Sequence, residues 1–355
     1  MNIYKRKDGR WEGRMSKGKN NNGKRKYKAV FGKSKEEVSK KMAKIRRIES
    51  KSCSITVTQL YGEWHGSIKH KIKESTEANY TLKANKHILP VLGDKSVDSI
   101  QDSDIYSFIE SKQQAGLTNR YIADMLAVLK SMFKYAVRIY HIFNPLEGIE
   151  MPSTKAPEIT LLDEAEQAKL QEYIAQNQNK ATLGVALSMT TGIRVGELTS
   201  LQWKDIDLEK RILTVSKTLQ RVQCPSDHAK TKLIITEPKS EKSRRRIPIP
   251  QGMVAFLQKF KGKDSEYILS GKEKPIEPRA MQYRFSKILK NAKLPSVHFH
   301  ALRHIFASTC IKLGFDVKAL SELLGHSSIE LTLNRYVHSS FEQKIAYMER
   351  LEVSF

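Results

Sequence analysis

The amino-acid sequence predicts a multidomain, mainly α chain: a small N-terminal three-stranded sheet plus helix, then a helical bundle, then a mixed α+β domain. Three observations carry that expectation. At 355 residues the chain exceeds one typical domain and has room for two or three separate cores. Its apolar periodicity changes from strand-like alternation to helical three-and-four spacing near residue 34. A segment from Met151 to Thr160 with two prolines reads as an extended linker. The expected divisions are 1–50, 55–150 and 158–355.

Residues 2–14 and 26–32 alternate aromatic or aliphatic with basic residues around Asp8-Gly9 and a Gly/Asn stretch, the pattern of short strands joined by turns. Ser34 then opens a helix, its hydroxyl capping the N-terminus while Glu37 reaches back, with Val38, Met42 and Ile45 on one face. Tyr4, Trp11, Tyr27 and Phe31 are expected mostly as the core of this very small domain, since aromatics supply large buried area. From Ile55 to about Ile149 the spacing is helical: Val57, Leu60 and Trp64, then Tyr80 and Leu82, then Ile105, Phe108 and Ile109. The longest stripe runs through Tyr121, Met125, Leu129, Met132, Phe133 and Ala136, and Asn144-Pro145 ends the bundle. After the linker, Leu162-Asp163 followed by Glu166 starts a capped helix. Helices dominate from there, except for strands expected around 211–215, 233–237 and 246–250.

Charge narrows the function classes. The formal balance is +24, from 62 Lys and Arg against 38 Asp and Glu, which points to a polyanionic partner. Residues 1–50 alone hold 18 Lys or Arg against 5 Asp or Glu. A disordered basic tail or a membrane-surface segment would share that composition, but the strand pattern and the capped helix argue for an ordered module. Cys53, Cys224 and Cys310 are odd in number and scattered, with no CxxC, so neither a disulfide framework nor a zinc knuckle is expected. The start MNIYKRKDGRW lacks the apolar core of a signal peptide, and no run approaches the roughly 18 apolar residues of a membrane span. A soluble, cytoplasmic protein in a reducing compartment, with no membrane partner, is the expectation.

Four short patterns between Thr190 and Tyr336 carry chemistry: TGIRVGEL around Arg194, TEPKSEKSRRRIPIP around Lys239, HALRH from His300 to His304, and LGHSSIELTLNRY ending at Tyr336. A phosphodiester attacked in line gathers negative charge on its non-bridging oxygens, and guanidinium groups answer it with permanent charge and a planar donor fork. Thr191-Gly192 reads as a helix break that places Arg194 in the first turn of the next helix; the competing reading is a surface arginine paired with Glu197 at i+3. His300 and Arg303 fall on one helical face and can meet one ligand, whereas His304 is expected to be structural. The Lys239 run reads as strand, turn and returning strand, with Lys239 near the tip of a hairpin as general acid and Lys242, Arg244 and Arg245 as rivals. Leu324-Gly325-His326 reads as a glycine-capped helix end leaving the imidazole at an exposed junction. Tyr336 is then the nucleophile, its phenolate favoured by nearby cations, against the plain reading of an amphipathic tyrosine. A zinc site on His298, His300 and His304 is disfavoured, because no HExxH or cysteine pair accompanies them and an arginine sits beside them. No metal and no cofactor are expected, and no GxxxxGK[ST] loop is present.

In this order and with this His-to-Tyr interval, the patterns closely resemble the tyrosine recombinases, the integrase family of phages and conjugative transposons. The resemblance covers nearly the whole chain in outline. It implies an arm-type DNA-binding domain at 1–50, for which Lys5, Arg10, Arg14, Lys24 and Lys28 are the candidate DNA contacts. It implies a core-binding domain of SAM-like type at 55–150 and a catalytic domain at 158–355 with a C-terminal tail helix carrying Phe341, Ile345, Met348 and Leu351. It selects Lys239 among the basic residues of its run. By resemblance the reaction is integration and excision of a mobile element through a 3′-phosphotyrosine and a Holliday junction. The implied partners are double-stranded DNA at core and arm sites, further copies of the chain as a homotetramer on DNA, a DNA-bending host factor and an excision factor. The alternatives are a type IB topoisomerase relaxing DNA as a monomer and a chromosome-dimer recombinase, against both of which the basic front module speaks.

Overall fold

The computed structural model describes residues 2–6, 8–19, 25–49, 55–153, 160–223, 231–237, 244–326, 328–336, 345 and 349, the side chains of 2, 16–19, 25–26, 44–49, 331 and 334–336 excepted. Lys24, Lys239, Lys242, Cys53, Cys224, Phe341, Met348, Leu351 and the side chains of Ile45 and Tyr336 therefore lie outside the described residues. The chain divides into two compact units, Met1–Ala156 and Pro157–Phe355.

The first unit opens on β1 (Asn2–Lys5), β2 (Trp11–Lys19) and β3 (Arg25–Gly32), an antiparallel sheet in the order β1-β2-β3, followed by α1 (Lys35–Glu49). The Ser34 hydroxyl accepts from the Glu37 amide at 3.1 Å, as the capping pattern requires, but the Glu37 carboxylate reaches one residue further back, to the Lys33 amide at 2.7 Å. Met15, Val30, Val38 and Met42 form the small core, with Ile3 and Trp11 packed on it. Of the four aromatics expected there, only Trp11 joins it. Tyr4, Tyr27 and Phe31 are 38%, 54% and 40% exposed, because their positions alternate onto the sheet face away from α1.

A second core in this unit is the helical bundle of α2 (Val57–Ile68), α3 (Glu74–Lys83), α4 (Leu89–Leu92), α5 (Asp102–Gln114) and α6 (Asn119–Tyr140), with a π-helical turn at Ala84–Ile88 between α3 and α4. Thr56 and Gln59 make a reciprocal capping box at the start of α2, and Thr118 caps α6. Val57, Leu60, Trp64, Ile105, Phe108, Met125, Leu129, Met132, Phe133 and Ala136 are buried, as the three-and-four spacing predicts. Each large apolar side chain contributes roughly 1.5–3 kcal/mol. The Trp64 indole satisfies its one donor on the Ser131 hydroxyl at 3.1 Å.

The second unit runs α7 (Glu164–Gln176), α8 (Lys180–Thr191), α9 (Val195–Leu198), β4 (Ile206–Asp207), β5 (Ile212–Val215), β6 (Thr218–Gln223), β7 (Thr231–Thr236), β8 (Arg245–Pro248), α10 (Gln251–Gln258), α11 (Pro278–Asn291), α12 (Ala301–Lys312), α13 (Val317–Leu324) and α14 (Ile329–Tyr336). The expected cap at α7 is present in both directions, Glu166 amide to Asp163 at 2.8 Å and Asp163 amide to Glu166 at 2.9 Å. Strand pairing departs from expectation. β7 pairs with β6, a strand not read from the sequence, while β8 pairs with β5 in a separate sheet of order β4-β5-β8. The two strands that flank the Lys239 run therefore belong to different sheets and do not pair with each other. The physical reason is burial: Arg245 and Ile247 of β8 face inward against Leu213 and Val215, whereas β7 stays half exposed. Among the described residues no helix is long and apolar enough to cross a membrane, and no group of His, Cys, Asp and Glu could hold a metal ion. His298 and His300 are exposed and His304 is buried. Burial pushes the Cys310 thiol up to about 11, so it stays protonated at neutral pH.

Candidate active site

Arg194 is delivered by a turn that only glycine supplies. Gly192 closes α8 with φ +62°, and a Cβ there would meet Phe306 at 2.5 Å and Leu324 at 2.9 Å, so both backbone and space exclude other residues. The turn sets Arg194 as the cap of α9 and not within its first turn, and one turn of helix offers little dipole. Orientation comes from Glu197 instead. The Arg194 guanidinium donates to Glu197 Oε1 at 2.9 Å and its backbone amide to Oε2 at 3.0 Å. The ion pair and an exposed guanidinium coexist, for the Arg194 side chain remains 37% exposed. It lines a cavity of about 480 Å³ together with His300, Thr218, Arg221, Glu277 and Arg279.

Glu197 is held from its other side by Arg245, which donates to Oε1 at 3.2 Å and Oε2 at 2.8 Å, with both side chains 5% exposed. Burial alone would raise the Glu197 carboxyl, but the hydrogen bonds and charge of Arg245, with Arg194 beside it, hold it below the ordinary range. The same arginines meet the C-terminal end of α13. Arg245 donates to the Leu323 carbonyl at 2.6 Å, Arg303 to Leu324 at 2.7 Å and Arg194 to Gly325 at 3.4 Å. Three successive carbonyls that a helix end leaves without intrahelical donors are each met by a guanidinium, where the helix dipole also favours cations.

Arg303 is 2% exposed, and its bond of 2.8 Å to the Gly192 carbonyl ties α12 to the turn that presents Arg194. His300 caps α12 and faces the cavity, while His304 packs edge-on against it with ring centroids 5.0 Å apart and is buried. Arg303 and His300 thus leave their shared helical turn in different directions, one inward and one toward the opening. Gly325 ends α13 in the left-handed region, φ +62°, as the sequence predicts. His326 departs from expectation: it is half-buried, and its Nδ1 lies 2.8 Å from the hydroxyl of Thr332, a fully buried residue of α14. A histidine whose Nδ1 accepts that hydroxyl keeps its proton on Nε2, the form that donates to an oxyanion. Tyr336 closes α14. The residues that sequence reasoning undervalued are Glu197, Thr332 and Arg245: the first two bind Arg194 and His326 from behind, and Arg245 binds Glu197.

The N-terminal sheet brings together some of the expected DNA contacts and not others. Register puts Arg14 on the open face, above Tyr4 at 5.4 Å. Arg10 approaches that same face, 5.9 Å from the Phe31 ring, and Arg6, which sequence reasoning passed over, lies 5.5 Å from it. Lys5 and Lys28 fall in register with Trp11 and Met15, on the side of α1. Glu12, 3% exposed at the centre of the open face, accepts from Arg14 at 2.7 Å and Arg6 at 2.9 Å, and Arg14 above all keeps its carboxyl below the usual range. Asp8 holds Arg10 at 2.9 Å.

A turn-borne arginine, a buried second arginine and a His-to-Tyr segment define the class that comparison with known proteins then establishes. Residues 160–343 match the phage integrase family and residues 56–113 the N-terminal SAM-like domain of phage integrases. The chain belongs to the phage integrase family, the tyrosine recombinases, which are DNA breaking-rejoining enzymes. Among its relatives, a tyrosine recombinase XerC-like protein of Caldanaerobacter subterraneus subsp. tengcongensis is 29% identical over 95% of this chain and 94% of its own length. The ICEBs1 integrase of Bacillus subtilis is 24% identical, covering 81% of this chain and 80% of that protein. The Tn1549 transposon integrase, solved with a circular intermediate DNA, matches with TM-score 0.70 and 25% identity over 84% of this chain and all of that one. A lambda integrase dimer on a core site shares the fold, with TM-score 0.60 and 20% identity over 95% of this chain and 94% of that one.

Proposed function

We propose that this chain is the integrase of a mobile element, cutting and rejoining double-stranded DNA through a 3′-phosphotyrosine on Tyr336. The observation that carries the reading is the convergence of Arg194, Arg245 and Arg303 on the end of α13, from which the chain passes through His326 into the helix that Tyr336 closes. In the reaction the Tyr336 oxygen bonds to phosphorus, the bond to the 5′-oxygen breaks, and that oxygen leaves as a hydroxyl. Arg194 and Arg303 bind the non-bridging oxygens, with His300 and His326 donating beside them. Lys239 protonates the leaving oxygen. A 5′-hydroxyl of the partner strand then attacks the same phosphorus, the phenol is released, and repetition on the second strands resolves a Holliday junction. One ester replaces another, so the step needs no external energy source.

We assign the arm-type function to 1–50, core-site binding to 55–150 and catalysis to 158–355, with a homotetramer on two DNA sites as the working assembly. An apolar cavity of about 860 Å³ in the second unit, edged by Leu313 and Phe315 at 70% and 43% exposure, supports an exchange of C-terminal tails between protomers. On the open sheet face the arginines to test are Arg6, Arg10 and Arg14. A DNA-bending host factor, an excision factor and a cytoplasmic, nucleoid-bound location accompany this reading.

The test is covalent trapping on a nicked duplex carrying the element's end, in EDTA. A 3′-linked adduct is expected; a 5′ linkage or strict dependence on magnesium would remove the mechanism. Lys239→Ala should slow cleavage of ordinary DNA by about 10²- to 10⁴-fold. It should barely affect a substrate whose leaving group is a 5′-thiol, which needs no proton. Equal slowing of both substrates would assign the acid to another residue.

A further inference from the structure

We infer that Arg245 is a positioning residue for the phosphate clamp, acting on Arg194 through Glu197. It has the burial of a core residue and the chemistry of an active-site one. Its guanidinium spans two tasks at once: both oxygens of Glu197, at 3.2 and 2.8 Å, and the Leu323 carbonyl at 2.6 Å. Glu197 turns the same two oxygens toward Arg194, one to its guanidinium and one to its backbone amide. Without Arg245 the carboxylate would be free to rotate toward Arg194 alone and draw that guanidinium away from the cavity it shares with His300. Packing closes the arrangement: a Cβ on Gly325 would stand 3.1 Å from Arg245 Cδ and Nη1, so the glycine next to His326 is shaped around this side chain.

Two other roles fit less well. A general acid must give up its proton, and a guanidinium does not do so in proteins. A direct phosphate contact would have to take its donors from Glu197 and the Leu323 carbonyl, which between them engage all three guanidinium nitrogens. Lysine cannot replace it, since a single ammonium does not serve two carboxylate oxygens and a carbonyl in that planar geometry.

This inference rests on the reading of Arg194 as a phosphate-binding group, and the test separates the two. Single-turnover adduct formation on the nicked duplex, DNA affinity and thermal melting are measured for the full chain. Arg245→Lys should slow adduct formation by about 10- to 100-fold, the scale of a displaced reacting group, with DNA affinity unchanged. In an Arg194→Ala background the same change should cost less than about 2-fold, because its effect passes through Arg194. A 5′-thiol leaving group should not restore the rate. Undiminished cost in the Arg194→Ala background, recovery with the thiol substrate, or loss of DNA affinity alone would each overturn the proposal. Should Arg245→Lys melt below the assay temperature, Arg245→Met with Glu197→Gln removes the pair without leaving a buried charge and should show the same slowed rate. A wild-type rate in that double variant would also overturn it. If Arg194→Ala itself leaves the rate unchanged, the functional reading falls; if Arg194→Ala is slow and Arg245→Lys is not, only this inference does.

Discussion

Tyr336→Phe should eliminate the covalent protein–DNA adduct and leave duplex binding at the wild-type level. The substitution removes one oxygen from the end of α14 and keeps the ring, so the helix and its contacts have no reason to change. What disappears is the atom proposed to form the bond to phosphorus. Loss of a nucleophile typically costs more than about 10⁴-fold in rate, since the remaining groups still bind and polarise the phosphate but have nothing to transfer it to. The measurement is a gel-shifted, protease-sensitive species on the nicked duplex, beside a binding titration of the same variant. An adduct that survives in the Phe variant moves the nucleophile elsewhere. Loss of binding together with loss of the adduct would mean the change had damaged the fold.

Glu197→Ala should be the most destabilising single change in the site. The carboxylate is 5% exposed and accepts from both Arg194 and Arg245; removing it leaves the Arg245 guanidinium buried with its main counter-charge gone. Breaking one side of a buried pair costs about 3–5 kcal/mol. For a unit of this size that lowers Tm by on the order of 10 °C. The pH dependence follows from the direction of the shift. Because the folded carboxyl titrates below its ordinary value, the stabilisation is complete above the usual glutamate range and is lost as pH falls through the depressed value. Wild-type melting temperatures should therefore drop in acid by more than those of Glu197→Ala, and the two curves should approach each other at low pH. A variant that melts within a degree of wild type at neutral pH would show that the pair is replaceable by solvent.

Much of this architecture was legible because apolar spacing is a local property. The α6 stripe needed only the side chains of one helix to be recognised, and so did the caps at Thr118 and Asp163. Partner choice between strands is not local. β6 buries Leu219 and Val222, three residues apart, a spacing that mimics a helix and hides the strand that pairs with β7. With β6 hidden, the strand, turn and returning strand of the Lys239 run read as a hairpin of β7 and β8. The active-site motifs were legible as chemistry, yet their supports were not. Arg245 lies 48 residues beyond Glu197, and an arginine at the head of a strand gives no sign that it points inward. In the N-terminal module the aromatic count was read as core, whereas a sheet backed by one helix has a single buried face, already filled by Met15, Val30, Val38 and Met42.

Glu12 and Asp8 have a thermodynamic consequence for how the front of the chain responds to ionic strength. Arg6, Arg10 and Arg14 are partly neutralised before any phosphate arrives, so fewer condensed cations are displaced from DNA per arginine than a tally of basic side chains would give. Affinity for an arm-type duplex should then fall with rising sodium chloride on a shallower logarithmic slope than that tally suggests. Glu12→Gln, which releases Arg14 and leaves Arg6 beside Asp8, should steepen the slope by about one unit. An unchanged slope would mean that these arginines do not meet the DNA backbone.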